Sequence, residues 1–529
     1  MHATDFTDFN MFSAKTFGIL LVASYALGGS YAFSLNASSG SASSSKNYDL
    51  VVIGGGSAGL TAAKFAATFG KSAVIVEKAR MGGDCTWTGC IPSKSLIASA
   101  KMAHNVRRAS EFGINTDVDP ATVTVDMKAI KRRIESNIDQ IYQEDDSPEA
   151  MKKLGIDVLS GTATLTDSKT LKVTNEETSE CFEVCANDGI LIATGASPKA
   201  PSIPGLDDIN YITYEQAFGM EEVPSTMTIV GGGPIGCELA QAYSRLGSKV
   251  TVIASSLLPN EEPEVGKVMQ SVFESEGIVV INSRLDKVES QPSSSQAAHV
   301  ATCQDGQSIQ GDVLLVATGR KPVVTGMGLE DLNVELNDKG GIKVDVKLQT
   351  SVKGLYAAGD CTGDRQFTHY AGYQGAVGAR NILLPLSDPG VKDFVPGTTF
   401  TDPEISSIGL TEKEAMEEFG ERKVAVAFQN INETYHAICK GVKKGFIKIV
   451  YKKKGYKILG AAVVSPVAGE IISEIAVAMK SGLSFDMLAT VMHTYPSHSF
   501  ALQSMAAEVY YDKLVKSKGI LNFMKRVGL

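Results

Sequence analysis

The feature that most constrains this chain is a strand, turn, helix and second strand unit that occurs twice. Asp49-Leu50-Val51-Val52-Ile53 is a short apolar run ending in Gly54-Gly55-Gly56-Ser57-Ala58-Gly59, the pattern of a buried strand bounded by turn residues. Leu60 to Phe69 carries apolar residues and alanines at helical spacing, Gly70 stops it, and Ser72 to Val76 reads as the next strand, closing on Glu77. The glycine spacing has a mechanical reason. Gly54 allows the turn, Gly56 lets backbone approach a pyrophosphate, and Gly59 lets helix pack on strand. The pyrophosphate then meets the helix N-terminus at Ser57, and Glu77 is placed to accept hydrogen bonds from a ribose.

The second copy runs from the strand Met227-Thr228-Ile229-Val230 through Gly231, Gly233, Ile235 and Gly236 to a helix over Cys237 to Leu246 and a strand over Lys249 to Ile253. Two modules in one chain make sense if one holds FAD and the other brings a nicotinamide dinucleotide to it. At the acid position of the second module stand Ala254 and Ser255. With no carboxylate to repel a 2′-phosphate, NADPH is permitted and is favoured over NADH, although no Arg follows to clamp the phosphate.

Shortly after Glu77 comes Gly82-Gly83-Asp84-Cys85-Thr86-Trp87-Thr88-Gly89-Cys90-Ile91-Pro92-Ser93-Lys94. Cysteines at this separation do not share a face of a regular helix, so Gly89 and Pro92 are expected to supply the irregularity that brings the sulfurs together. A bridge this short closes a tiny loop and adds little stability through chain entropy, which makes redox function the better reading. The rival pair, Cys181 and Cys185, lies in a polar alternating stretch that reads as a surface strand. With eight cysteines in 529 residues the chain is no disulfide scaffold.

The cysteine motif, both glycine fingerprints, the segments Ala193-Thr194-Gly195 and Ala317-Thr318-Gly319, and Ala358-Gly359-Asp360 together resemble the class I pyridine nucleotide-disulfide oxidoreductases: dihydrolipoamide dehydrogenase, glutathione reductase and mercuric reductase. The likeness is strongest to the mercuric-reductase-like branch. It implies an α/β fold of two Rossmann-like domains, for FAD and NAD(P), followed by an α+β dimerisation domain. It implies that Cys90 is the charge-transfer thiolate, Cys85 the interchange thiol, and Lys94 a partner of Glu238 beside non-covalent FAD. Asp360 would bind the ribityl chain, Gly161 and Ala163 would lie against the adenine, and Gly83, Thr194, Gly195 and Gly319 complete the flavin contacts. A homodimer with each site completed by the partner's tail follows from the same resemblance. Asp360 alone would also be read as a helix cap.

The pattern breaks at Met492-His493-Thr494-Tyr495-Pro496-Ser497-His498-Ser499-Phe500. Relatives place a His before this Pro and orient it with a Glu; here those positions are Tyr495 and Phe500. Free Tyr is a poor base at neutrality, so His493 and His498 are the alternatives. The tail from Lys516 to Leu529 has no cysteine, unlike mercuric reductases. Trp87 departs from the usual Asn.

The segment 1–47 reads as a targeting presequence. An apolar run from Phe17 to Leu27 leads to Ser30-Tyr31-Ala32, and a Ser/Ala-rich, acid-free stretch follows Phe33, a layout that suggests a plastid address or, alternatively, the secretory pathway. It leaves no membrane span after removal. The remaining expectation is FAD-binding residues 48–200, NAD(P)-binding residues 201–319, a second central part at 320–396 and dimerisation residues 397–529. A net charge of −9 without basic clusters argues against nucleic acid, and no metal ligand set is expected. The expected activity carries electrons from NAD(P)H through FAD and Cys90/Cys85 to a small-molecule acceptor, a disulfide or soft metal. Alternatives are a quinone reductase using reduced flavin directly, and a redox-responsive flavin-binding protein without turnover.

Overall fold

The computed structural model describes residues 46–115, 119, 122–291 and 298–526, so most of the presequence reading lies outside the described residues. The first strand begins two residues before the expected start at Tyr48: Lys46 and Asn47 pair with Val184 and Cys185. That strand, β1 (Lys46–Ile53), lies parallel to β2 (Ala73–Glu77), and β2 is followed by β3 (Ile156–Ser160). With β4 (Thr162–Leu165), β5 (Thr170–Thr174) and β6 (Cys181–Ile192) the order is β3-β2-β1-β6-β5-β4, and a strand at Leu355–Ala357 also pairs with β6. The helix α1 (Ser57–Thr68) joins β1 to β2. Behind it runs the helix Thr368–Leu383, so close that a Cβ on Gly375 would stand 2.0 Å from the Ala58 carbonyl oxygen.

The second sheet is wholly parallel: Val279–Ile281, Lys249–Ile253, Thr226–Val230 and Val313–Val316, in that spatial order. The chain passes between the sheets through an antiparallel ribbon of Ala196–Pro198 and Arg320–Pro322. Each Thr-Gly segment sits at one crossing. The hydroxyl of Thr194 donates to the Val323 carbonyl and that of Thr318 to the Lys199 carbonyl, both at 2.7 Å. Gly195 and Gly319 have φ +71° and +123°, the left-handed region that glycine enters without a Cβ penalty.

The third sheet has five antiparallel strands: Gly397–Thr399, Glu404–Gly409, Ile458–Ser465, Phe446–Lys452 and Val424–Asn430, in that spatial order. Ile458–Ser465 is buried along its whole length because the sheet neighbours and the helices Ala468–Ser481 and Phe500–Lys516 enclose it. Lys448 on this sheet is buried, and a buried ammonium requires partners; Glu262, Glu264 and Glu412 supply carboxylates at 2.7–3.1 Å. Two of these come from the segment after the second dinucleotide module, so the cluster fastens that module to the third sheet. Among the described residues no helix is long and apolar enough to cross a membrane.

Cys181 and Cys185 open β6 as free thiols. Positions four apart on a strand share a face yet stand roughly 13 Å apart, too far for a bridge.

Candidate functional site

Both glycine cradles have the geometry their spacing implies. A Cβ on Gly54 (φ +106°) would stand 2.4 Å from the Ala193 carbonyl oxygen, and one on Gly59 only 1.9 Å from that of Gly54. Gly56 faces Gly83, where a Cβ on Gly83 would meet the Gly56 Cα at 2.8 Å, so this corner is backbone against backbone. The N-terminus of α1 has no side-chain cap and no acid in its first turn, among the described residues. Other helices do carry a cap: Asp126 accepts from Ala129 N, and Thr411 from Glu414 N. Free amide groups at a helix start, with the dipole behind them, form an anion site. Glu77 is fixed at the rim of this cradle, its two carboxylate oxygens accepting from Gly55 N and Ala79 N at 2.7 Å each. Gly161 N donates to the Glu77 carbonyl at 2.9 Å. The Ala163 side chain turns into the core, so a contact with adenine is open to its backbone alone.

The second cradle repeats the first. Cβ atoms on Gly231 and Gly236 would stand 2.3 Å and 2.1 Å from the carbonyl oxygens of Ala317 and Gly231, while Gly233 has open space. The helix Pro234–Leu246 likewise starts without a side-chain cap or a first-turn acid. Ile235 packs against the module's core, Ala254 is buried and Ser255 is exposed. The residues of each cradle therefore fit a dinucleotide, with a carboxylate at the rim of the first and none at that position of the second.

Cys85 lies in α2 (Gly83–Trp87), and Cys90 is the first residue of α3 (Cys90–Arg107). The break between them is made by Gly89, whose added Cβ would meet the Asp84 carbonyl oxygen at 2.7 Å. Pro92 contributes as well: it sits inside the first turn of α3, where its missing N–H costs nothing, and it cannot donate to the Thr88 carbonyl, so the helix cannot run back through Thr88 unbroken. Both thiols are free, and the Cys85 thiol hydrogen-bonds to Cys90. That bond, assisted by Thr368 and Lys94 against the opposing effect of burial, pulls the Cys90 thiol down to about 6. Cys85 is pushed up by the same bond and by burial. The uncapped, acid-free N-terminus of α3 also favours a thiolate at Cys90.

Lys94, one turn further along α3, donates to Glu238 at 3.0 Å, and its ammonium lies 4.2 Å from the centre of the Phe400 ring. The second oxygen of Glu238 accepts from Phe400 N at 2.8 Å. Glu238 belongs to the helix of the second cradle, so this pair ties the cysteine helix to the nicotinamide module.

Several neighbours were missed by sequence reasoning. Arg320 is half-enclosed between Asp84, to which it is ion-paired, and Asp360 at 2.5 Å, with the Tyr214 hydroxyl 3.2 Å from its Nε. Asp360 therefore is not a helix cap; burial raises its carboxyl, and Arg320 opposes that rise. A buried Asp146 accepts from the Thr86 hydroxyl at 2.6 Å, and burial holds its carboxyl above the usual range. Trp87 finds its role as an anchor: its Nε1 donates to the Met81 carbonyl at 2.7 Å, with the Tyr142 and Arg80 side chains 5.1 Å and 4.6 Å from its ring centre. Only Arg320 carried a local signal, a cation directly after a Thr-Gly turn.

The positions expected to hold a base are filled differently. Tyr495 and Phe500 stack edge to face, ring centres 5.0 Å apart, with Tyr495 58% exposed. His493 places Nε2 2.6 Å from Glu474 and Nδ1 2.8 Å from the Val491 carbonyl, so both its nitrogens are engaged. His498 is buried edge to face on His436, 4.5 Å between centres, and its Nδ1 has no partner among the described residues. Burial, and then His436, lower its basicity. The structure thus gathers Cys85, Cys90, Lys94 and Glu238, and gives both histidines partners elsewhere.

The family described as pyridine nucleotide-disulphide oxidoreductase matches residues 48–375, and its dimerisation domain matches residues 395–506. Mercuric reductase of Streptomyces lividans is 32% identical over 471 residues, which span 89% of this chain and 97% of that protein. Dihydrolipoyl dehydrogenase of Chlorobaculum parvum is 34% identical over 479 residues, spanning 89% of this chain and 99% of that protein. Among solved structures, LpdA from Mycobacterium tuberculosis superposes with a TM-score of 0.78 at 28% identity, over 88% of this chain and 99% of that one.

Proposed function

The chain belongs to the pyridine nucleotide-disulphide oxidoreductase family, and from that premise we propose that it is an FAD-dependent oxidoreductase moving electrons from NAD(P)H through Cys90 and Cys85 to a small acceptor. FAD, when bound, supplies the two-electron relay between nicotinamide and sulfur. Gly54, Gly56, Ser57, Gly59, Glu77, Gly83, Gly161, Ala163, Thr194, Gly195, Gly319 and Asp360 would hold it, with Lys94 beside the flavin ring. Gly231, Gly233, Ile235, Gly236, Ala254 and Ser255 would hold the nicotinamide donor. The observation that carries the reading is Cys90: a thiol lowered to about 6 at a helix start, touching a second thiol and next to the Lys94–Glu238 pair. The dimerisation domain supports a homodimer.

A small disulfide or a soft metal ion is the favoured acceptor, since paired sulfurs serve both. The edge-to-face pair of Tyr495 and Phe500, an apolar replacement for a base, favours a second reading in which a quinone takes electrons from reduced flavin directly. Replacing Cys85 then leaves quinone turnover intact and abolishes turnover with disulfides. A redox-responsive protein without catalysis is the third reading, and it requires negligible NAD(P)H oxidation with every acceptor. The absence of an acid at Ala254 supports NADPH over NADH. The presequence supports delivery to a plastid; a fluorescent fusion of residues 1–47 that enters only the secretory pathway would sink that part.

The decisive experiment is an anaerobic titration with NADPH and then NADH, comparing wild type with Cys90→Ser. A long-wavelength absorbance band confined to wild type is the expected result; a band in both proteins, or in neither, defeats the assignment. Because the Cys90 thiol is lowered, its thiolate exists above about pH 6, and the band fades as pH falls through that value.

A further inference from the structure

The loop between the two cysteines is gripped from outside by one turn of another helix. The helix Met127–Ile141 runs on into a wide turn, Tyr142–Asp146, in which Ser147 N donates to the Tyr142 carbonyl at 2.7 Å, five residues back. Tyr142 and Asp146 share one face of that turn. The Tyr142 ring lies against Trp87, centres 5.1 Å apart, and the Asp146 carboxylate accepts from the Thr86 hydroxyl at 2.6 Å. Both ends of this bond are buried. Gly82 makes room for it: a Cβ there would stand 2.8 Å from the Thr86 Cβ and 3.1 Å from the Asp146 carboxylate.

Thr86 follows Cys85 directly, so whatever fixes Thr86 also fixes the backbone that carries the Cys85 sulfur. Cys90 opens an 18-residue helix, whereas Cys85 lies in the five-residue α2, too short to hold its own shape. Burying a carboxylate costs free energy that one hydroxyl donor only partly offsets, so stability alone does not account for Asp146. The titratable groups acting on it are Lys64 of α1, whose ammonium donates to the Asp145 carbonyl at 2.9 Å, and Asp145 itself. Burial raises the Asp146 carboxyl, Thr86 and Lys64 oppose that rise, and Asp145 adds to it. After the bond to Cys90 and burial, Asp146 is a further group that disfavours charge on Cys85.

We propose that Asp146 is a positioning residue for Cys85: through Thr86, and with Tyr142 on Trp87 as the second point of the clamp, it fixes the loop between the cysteines and keeps the Cys85 sulfur within bonding reach of Cys90. Cys85 then turns between Cys90 and the acceptor by rotating its own side chain, on a backbone that stays in place. In exchange with a dithiol the protein disulfide gains two hydrogens and the dithiol loses two as it closes its own S–S bond. The clamp leaves that balance untouched and raises the effective concentration of one sulfur at the other. The inference rests on the reading of Cys85 and Cys90 as the redox pair.

The test compares wild type with Asp146→Ala, Asp146→Asn, Thr86→Val and Thr86→Ser as purified holoprotein. Each is equilibrated at neutral pH with defined ratios of reduced to oxidised dithiothreitol, acid-quenched, alkylated and weighed by mass spectrometry to count Cys85–Cys90 disulfide. A loosened loop weakens the disulfide, so Asp146→Ala and Thr86→Val are expected to be reduced at a roughly tenfold lower ratio. Asp146→Asn and Thr86→Ser keep the hydrogen bond and are expected within about threefold of wild type. Trp87, the chain's single tryptophan, reports on the loop: its fluorescence anisotropy falls in the Ala and Val variants and holds in Asn and Ser. Thermal midpoints are recorded for all five; should Thr86→Val fail to fold, Thr86→Ala takes its place, and either bond-breaking variant decides. The proposal is overturned if midpoints fall while ratio and anisotropy match wild type, the mark of a purely structural role. It is equally overturned if Asn shifts as far as Ala while Val does not move, the mark of charge acting without the clamp. A wild-type protein that never forms the Cys85–Cys90 disulfide defeats the redox-pair reading and this proposal together, whereas a disulfide of equal stability in all five proteins defeats the proposal alone.

Discussion

The two dinucleotide modules are built from one mechanical plan and differ at one chemical position. In both, the first glycine turns at positive φ over a carbonyl from a neighbouring strand, Ala193 in one and Ala317 in the other, and the third glycine lets the helix press on the first glycine's own carbonyl. Both helices begin uncapped. At the end of the second strand the modules part: Glu77 is clamped by two backbone amides, whereas Ala254 offers a buried methyl. Steric needs, the comparison teaches, are the same for any dinucleotide, while the groups that read the ribose are free to vary.

The harshest way to break the symmetry is to add a side chain where none fits. Gly59→Val puts carbon within 1.9 Å of the Gly54 carbonyl oxygen and is expected to cost about 5 kcal/mol, with loss of flavin on gel filtration. Gly236→Val, at 2.1 Å from the Gly231 carbonyl oxygen, should instead leave a yellow protein that NAD(P)H no longer reduces. If both variants lose flavin equally, the modules are not independent. A milder probe is Glu77→Gln, which removes the carboxylate charge; FAD affinity measured by fluorescence should fall by about 2 kcal/mol, roughly 30-fold. Smaller again is Ala254→Asp, which gives the second module the acid it lacks. The ratio of kcat/KM for NADPH over NADH should drop roughly tenfold, and an unchanged ratio would show that the ribose is read elsewhere. Smallest is Glu238→Gln at the bridge between modules. With Lys94 38% exposed, the loss in thermal stability should stay under about 1 kcal/mol, whereas flavin reduction followed by stopped flow should slow measurably.

What could be read from the chain follows the range of the interactions. Each fingerprint is local, because turn, helix start and strand end fall within one stretch, and its helix and strand limits agreed with the structure to within a few residues. The Lys94–Glu238 pair was accessible only through family resemblance, since 144 residues separate the partners. Thr368 and Tyr214 left almost no signal and Arg320 only its place after a Thr-Gly turn, as each acquires its role by meeting a residue more than 100 positions away. Trp87 looked anomalous because its partners, the Met81 carbonyl and Tyr142, give it a structural purpose that no spacing announces. The substitution of His and Glu by Tyr495 and Phe500 was visible as a departure, but its result, two rings closed on one another, is a tertiary contact that spacing does not announce.

The sequence by itself determined that two dinucleotides can be cradled and that two cysteines stand at the mouth of the first cradle, because glycine geometry and helix polarity act over a single turn of chain. Family resemblance named Cys90 as the charged sulfur, and only the tertiary structure decided what lowers its thiol. That lowering depends on a hydroxyl, an ammonium and two helix starts converging from distant segments, and electrostatic effects of this size require contact.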